Sequence, residues 1–180
     1  MTAGQSLDFV FHPLAEVDLP LLCEWLNRPH LQQWWRRGEI TLSEVKDKYL
    51  PRVMGDDDAR PFLAYLDDRP IGYIQYYLVA EGSEDYWPDI PGPGVVGTDQ
   101  FLADGNHLNQ GLGTAMLRMF VGLLMQDLEV TEIRVDPLRD NLRAINCYRK
   151  VGFQPRVEFT TPDGPSLLMI FNQYGVDKLK

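Results

Sequence analysis

The stretch from Gly94 to Pro137 constrains the fold more than any other part of the chain. It opens with GVVGTDQFL, a β-branched apolar run that reads as a strand. ADGNHLNQG then supplies turn residues. Beyond them Leu112, Ala115, Met116, Met119, Phe120, Leu123 and Leu124 recur on one helical stripe. EIRVDP follows as a strand of the buried type. A strand, a glycine turn, an amphipathic helix and a second strand in direct succession require a layered helix-and-sheet structure.

The remaining segments fit the same plan. Phe9–His12 alternates as a short strand, and Asp18 precedes a helical run, LPLLCEWL, that stops before Pro29. HLQQWW reads as a short second helix. Thr41 and Glu44 have the spacing of a capping box and open a helix through about Val53. RPFLAYL and PIGYIQYYLV form a hairpin about Asp67–Arg69. An irregular stretch, Ala80–Gly94, carries Glu81, Glu84, Asp85 and Asp89 with Tyr86 and Trp87, and loops of that length tend to be functional or disordered. NLRAINCYRKVGF reads as a helix ended by Gly152, and Phe153–Thr161 with Pro165–Asn172 makes a last hairpin. The expectation is one α/β domain over residues 1–180, without internal repeats.

Charge narrows the function classes. The net charge is −9 and the pI about 4.7, a field that repels nucleic acid and anionic lipid and attracts cations. The two cysteines, Cys23 and Cys147, both fall in helical segments, which argues against a disulfide scaffold or a zinc site. His12, His30 and His107 lack metal-ligand spacing and are expected on the surface or in loops, so no metal is expected. No apolar run is long enough to span a membrane, and no basic stretch followed by an apolar core opens the chain. A cytoplasmic protein, monomer or dimer, is expected.

In QGLGTAML, Gly111 and Gly113 stand at the start of the strong helix, where free N–H groups favour phosphate. A third glycine and a following Lys-Ser/Thr are both missing, which excludes a dinucleotide fingerprint and a Walker A loop. Together with NLRAINCYRKVGF, this turn resembles the GNAT superfamily of acyl-CoA N-acyltransferases. The resemblance implies a mixed, mostly antiparallel central sheet with helices on both faces and a splayed strand pair at the acyl-CoA site. It implies acetyl-CoA as cofactor, held by Gln110, Gly111, Leu112, Gly113 and Thr114 at the turn, by Gln100 and Leu102 on the preceding strand, and by Asn141, Ala144 and Tyr148 on the later helix. One departure is Leu108, where the family usually has Gln or Arg.

EWLNRPHLQQWW, KYLP, RPIGYIQYY, GTDQFLA, VDP and TTPDGP occur in the order seen in aminoglycoside 6′-N-acetyltransferases, over about Asp8–Asn172. That branch acetylates polycationic antibiotics such as kanamycin and tobramycin and so confers resistance. The amine must lose a proton, the thioester oxygen gains negative charge, and the departing thiolate needs a proton. By resemblance Asp99 is the proton acceptor, Tyr148 the proton donor, and backbone N–H groups around Gln100–Leu102 meet the oxyanion. The implied acceptor pocket uses Asp57, Glu84, Asp99, Asp136 and Asp163 against ammonium groups, with Trp34 or Trp35 and Trp87 as its wall. Arg36–Arg37 is expected to face solvent. No histidine lies near Cys147 in sequence to activate it, so both cysteines read as structural. Two alternatives stay open: a GNAT enzyme for another acceptor, such as a siderophore hydroxylamine, a lysine or a protein N-terminus, and a non-catalytic module that binds acyl-CoA or antibiotic.

Overall fold

Strand β4 (Val95–Leu102) lies at the centre of a seven-stranded sheet and is the element around which the cleft is built. The computed structural model describes residues 7–35, 38–79, 86–89, 91–127 and 129–172. Along the chain these form β1 (Phe9–Pro13), α1 (Leu19–Leu26), α2 (Pro29–Gln32), α3 (Leu42–Met54), β2 (Ala59–Leu66) and β3 (Arg69–Leu78). After β4 come α4 (Leu112–Leu124), β5 (Glu132–Val135), α5 (Leu142–Val151), β6 (Gln154–Thr161) and β7 (Gly164–Asn172). The sheet order is β1-β2-β3-β4-β5-β7-β6, antiparallel throughout except for the β4–β5 pair.

Local chemistry places these elements as the sequence requires. Thr41 and Glu44 form the capping box of α3, each side chain bonding the other's backbone N–H. The β2–β3 turn holds Asp67 and Asp68 at φ 49° and 60°, the left-handed pair that closes a two-residue hairpin. HLQQWW differs from expectation: α2 begins at Pro29, which suits a first helical turn, and Trp34 and Trp35 lie in the turn after it.

Helices cover both faces. On one, α1 and α3 bury Leu19, Leu22, Trp25, Val45 and Tyr49 against Tyr73 and Phe101. On the other, α4 and α5 bury Leu117, Phe120, Val121, Ile145 and Val151 against Val96, Ile133 and Phe171. The buried stripe of α4 is rotated from the one read in the sequence. Leu117 and Val121 point inward, whereas Met119 and Leu123 are exposed, because the sheet claims only one side of a helix that is apolar nearly all round.

The β4–β5 pairing is short, Val95–Gly97 against Glu132–Arg134. Past it β4 continues to Leu102 while β5 ends at Val135, so the two strands part and leave the second half of β4 unpaired on that side. Gly97, at the last pair, faces Tyr77 across the β3–β4 ladder. A Cβ on Gly97 would lie 2.1 Å from the Tyr77 ring, so only glycine lets that ring lie over the strand. Among the described residues, no helix is long and apolar enough to cross a membrane.

Candidate active site

A cleft of about 570 Å³ opens where β4 and β5 part. Because side chains alternate along β4, Asp99 faces the α3 side and Gln100 the α4–α5 side. The cleft is therefore lined differently on its two flanks.

On the Asp99 flank three carboxylates converge from distant segments. Asp99 comes from β4, Asp136 from the end of β5, and Asp163 from the β6–β7 turn. The backbone after β5 brings the last two together: Leu167 N–H donates to Pro137 and Arg139 N–H to Pro165, zipping that segment to the start of β7. Thr161 then fixes the turn, its hydroxyl accepting from the Asp163 N–H at 3.3 Å and donating to the Gly164 carbonyl at 3.1 Å. Burial first, then the Asp136 charge, pushes the Asp99 carboxyl up to about 6; the Gln75 amide and the Arg52 and Lys48 charges pull the other way. Burial also raises Asp136, opposed by a hydrogen bond from the Tyr86 hydroxyl.

Tyr86 lines the cleft and packs edge-on against Trp87 and Phe159. Arg134, 3% exposed, forks onto Asp89 at 2.8 and 3.1 Å, bonds Glu132 at 2.7 Å and lies 5.5 Å from the Trp87 ring. Such bidentate pairing sets an orientation as well as an attraction. Trp87 itself, 4% exposed, packs with Leu168, Ile170 and Phe159 and does not line the cleft, contrary to the expectation that it forms the wall. Trp34 and Trp35 do line it, Trp35 also packing edge-on against Tyr73 and Phe101.

Asp57 is the second departure. It lies off the cleft, 3.5 Å from Arg52 Nε and capping the Ala59 N–H at 2.8 Å. Its carboxylate is paired with Arg52, and the Arg60 guanidinium donates to its backbone carbonyl. Glu84, Arg36 and Arg37 lie outside the described residues. His30 is a third departure, because it lines the cleft and donates from Nε2 to the Leu102 carbonyl at 3.0 Å.

On the other flank stand Gln100, Leu102, Gly111, Gly113, Thr114, Asn141, Ala144 and Tyr148. Gly111 caps α4 at φ 84°, a conformation that favours glycine. No side chain caps the first turn of α4, whereas Thr41 caps α3 and Asn141 caps α5. The free amides and partial positive charge of that end suit a pyrophosphate, and Arg143 and Lys150 add positive charge to the cleft. Gln110 and Leu112 do not line the cleft with their side chains. Gln110 bonds the Asn106 carbonyl at 2.6 Å, and Leu112 packs against a cluster containing Met116 and Leu102. Leu108, where the family has Gln or Arg, does line it.

Tyr148, 7% exposed, packs edge-on against Phe153, and burial raises its phenol well above the usual tyrosine range. Cys147 also lines the cleft. Burial pushes its thiol up, with Thr114 Oγ1 at 3.4 Å, so at neutral pH it stays a thiol and a poor nucleophile. Among the described residues, no cluster of side chains could hold a metal. Sequence reasoning missed Gln75, Tyr77, Lys48 and Arg52, all of which line the Asp99 flank.

Comparison with known proteins identifies the family and the fold. The model for the acetyltransferase (GNAT) domain matches residues 15–161. An aminoglycoside N(6′)-acetyltransferase type 1 of Klebsiella pneumoniae is 42% identical over 169 residues, 93% of this chain and 84% of that protein. A crystal structure of aminoglycoside acetyltransferase AAC(6′)-Ib with coenzyme A and kanamycin superposes with a TM-score of 0.85 at 44% identity, covering 95% of this chain and 98% of that one. The N(6)-hydroxylysine O-acetyltransferase of Escherichia coli is 25% identical over 162 residues, 87% of this chain and 49% of that protein.

Proposed function

The chain belongs to the GNAT acetyltransferase family, and on that premise we propose that it is an aminoglycoside 6′-N-acetyltransferase of a single domain acting in the cytoplasm, where it confers antibiotic resistance. One observation carries the choice of acceptor: Asp99, Asp136 and Asp163 converge on one flank of the cleft, an arrangement suited to a polycation. A neutral hydroxylamine would leave those carboxylates without ammonium partners.

The residues present fit acetyl-CoA. The uncapped amides of α4 at Gly111–Thr114 would take the pyrophosphate. Asn141 uses its side-chain oxygen to cap the Ala144 N–H at 3.2 Å, and its NH₂ group would donate to the pantetheine arm. Acetyl-CoA, when bound, supplies the activated acyl group as a thioester. Asp99 accepts the proton of the bound ammonium ion, directly or through water. A carboxyl that titrates at about 6 is ionised at neutral pH yet more basic than a free aspartate, which suits this task. Asp136, Asp163 and Tyr86 orient the remaining cationic rings. Backbone N–H groups of the unpaired end of β4, around Gln100–Leu102, face the developing oxyanion. Burial holds the Tyr148 phenol above its usual range, so it is protonated at neutral pH and would donate its proton to the departing thiolate.

A thiol-release assay with acetyl-CoA tests the reading. Rapid release is expected with kanamycin and tobramycin and little with N-hydroxylysine or spermidine. Turnover confined to the hydroxylamine or the polyamine, or tight binding of both substrates without release, would contradict it.

A further inference from the structure

Gln75 is 6% exposed, yet it belongs to none of the roles above. It lies on β3 directly opposite Asp99 in the antiparallel register. Its Oε1 accepts from the Tyr73 hydroxyl at 2.6 Å and from Arg52 Nη1 at 2.9 Å, and its Nε2 donates to Asp99 Oδ2 at 2.9 Å. A guanidinium has only donors, so the amide oxygen must face Arg52 and the NH₂ group must face Asp99. Arg52 is held in turn by Asp57 at 3.5 Å.

We infer that Gln75 is a positioning residue: Arg52 and Tyr73 lock its amide, and the amide ties down Asp99 Oδ2 so that Oδ1 is presented to the substrate ammonium. This rests on the reading of Asp99 as proton acceptor. The chemistry explains why a glutamine occupies the position. An arginine directly on Asp99 would orient the carboxylate but would also lower its pKa by about 1–3 units and weaken it as a base. A neutral amide interposed between them transmits the orientation and keeps the guanidinium one bond removed. The other titratable groups that act on Asp99 are Asp136 from the end of β5, Arg52 and Lys48 from α3, Tyr73 and Tyr77 from β3, Tyr86 from the segment before β4 and, from the opposite flank, Tyr148 of α5. The amide of Gln75 donates a hydrogen bond to the Asp99 carboxylate without adding charge. Asp57, expected in the acceptor pocket, instead pairs with Arg52 at the far end of this set of contacts.

Three variants test it: Gln75→Leu, Gln75→Glu and Asp99→Asn. In the Leu variant kcat is expected to fall roughly ten- to hundredfold, as for a misaligned reacting group, with KM for acetyl-CoA unchanged. Aspartate-labelled ¹³C NMR of the protein without substrates follows the Asp99 carboxyl, assigned by its absence in Asp99→Asn. Its titration is expected to move to higher pH in Gln75→Leu, because a donor to the charged form is lost, and higher still in Gln75→Glu, where a carboxylate replaces it. The Glu variant keeps an acceptor for Arg52 and Tyr73, so it decides the matter alone should the Leu variant fail to fold. Folded variants with an unmoved Asp99 titration and wild-type kcat would overturn the relay. If Asp99→Asn itself kept full turnover, the reading of the base would fall instead.

Discussion

Replacing Asp99 by Asn is expected to lower kcat for aminoglycoside acetylation by about 10²–10⁴-fold, the usual contribution of a positioned general base. The amide keeps the size and the polar surface of the carboxylate but cannot take a proton. KM for acetyl-CoA is expected to stay at the wild-type value, because the glycine turn and α5 lie on the opposite flank of β4. In the wild type, kcat/KM should rise with pH through about 6, where Asp99 ionises, and this limb should vanish in the variant. Stability should move the other way. Burial raises the folded-state pKa of Asp99 above its unfolded value, so the native state binds the proton more tightly. Its ionisation therefore costs stability, increasingly as pH rises from the ordinary carboxylate range to about 6, and in full above that. Asp99→Asn removes this cost and should melt no lower than wild type at neutral pH. Steady-state kinetics with thermal melts separate the two effects; a variant that is slow only because it is unfolded would contradict the assignment.

Tyr148→Phe is the second large effect expected, a fall in kcat of about 10²-fold with little change in the binding of either substrate. The ring packs edge-on against Phe153 with centroids 5.6 Å apart, and phenylalanine preserves that contact. Loss of one hydroxyl should shift Tm by no more than about 2–4 °C in a chain of this size. Because burial and the nearby Asp99 charge hold the phenol well above its usual range, no alkaline limb from Tyr148 should appear below pH 10. Wild-type turnover in the Phe variant would reduce Tyr148 to a packing residue.

Much of this arrangement is legible in the sequence where the signal is local. The Thr41–Glu44 spacing states its own cap, Asp67-Asp68 its own turn, and Gly111 the start of α4. The resemblance placed Asp99, Asp136 and Asp163 together, and all three line the cleft. What the sequence does not carry is partnership across the sheet. Alternation puts Tyr73, Gln75 and Tyr77 on one face of β3, but only the β3–β4 register brings Gln75 opposite Asp99 and Tyr77 over Gly97. The resemblance misplaces Asp57, because nothing local reveals that Arg52 reaches it from the last turn of α3. Trp87 lies in a stretch without periodicity, and what buries it is Leu168, Ile170 and Phe159 of the last hairpin, with Arg134 from a strand 47 positions on, pinned to Asp89 and Glu132, beside its ring. Such a contact has no sequence signature.

The crystal structure of this protein with coenzyme A and kanamycin, solved as a ternary complex, tests the whole scheme most directly. The account predicts the kanamycin 6′-nitrogen within about 2.6–3.2 Å of Asp99 Oδ1, or joined to it by a single water, with the coenzyme sulfur and the Tyr148 hydroxyl on the far side of β4's unpaired end. A 6′-nitrogen held remote from Asp99, or an antibiotic seated outside the gap between β4 and β5, would contradict it.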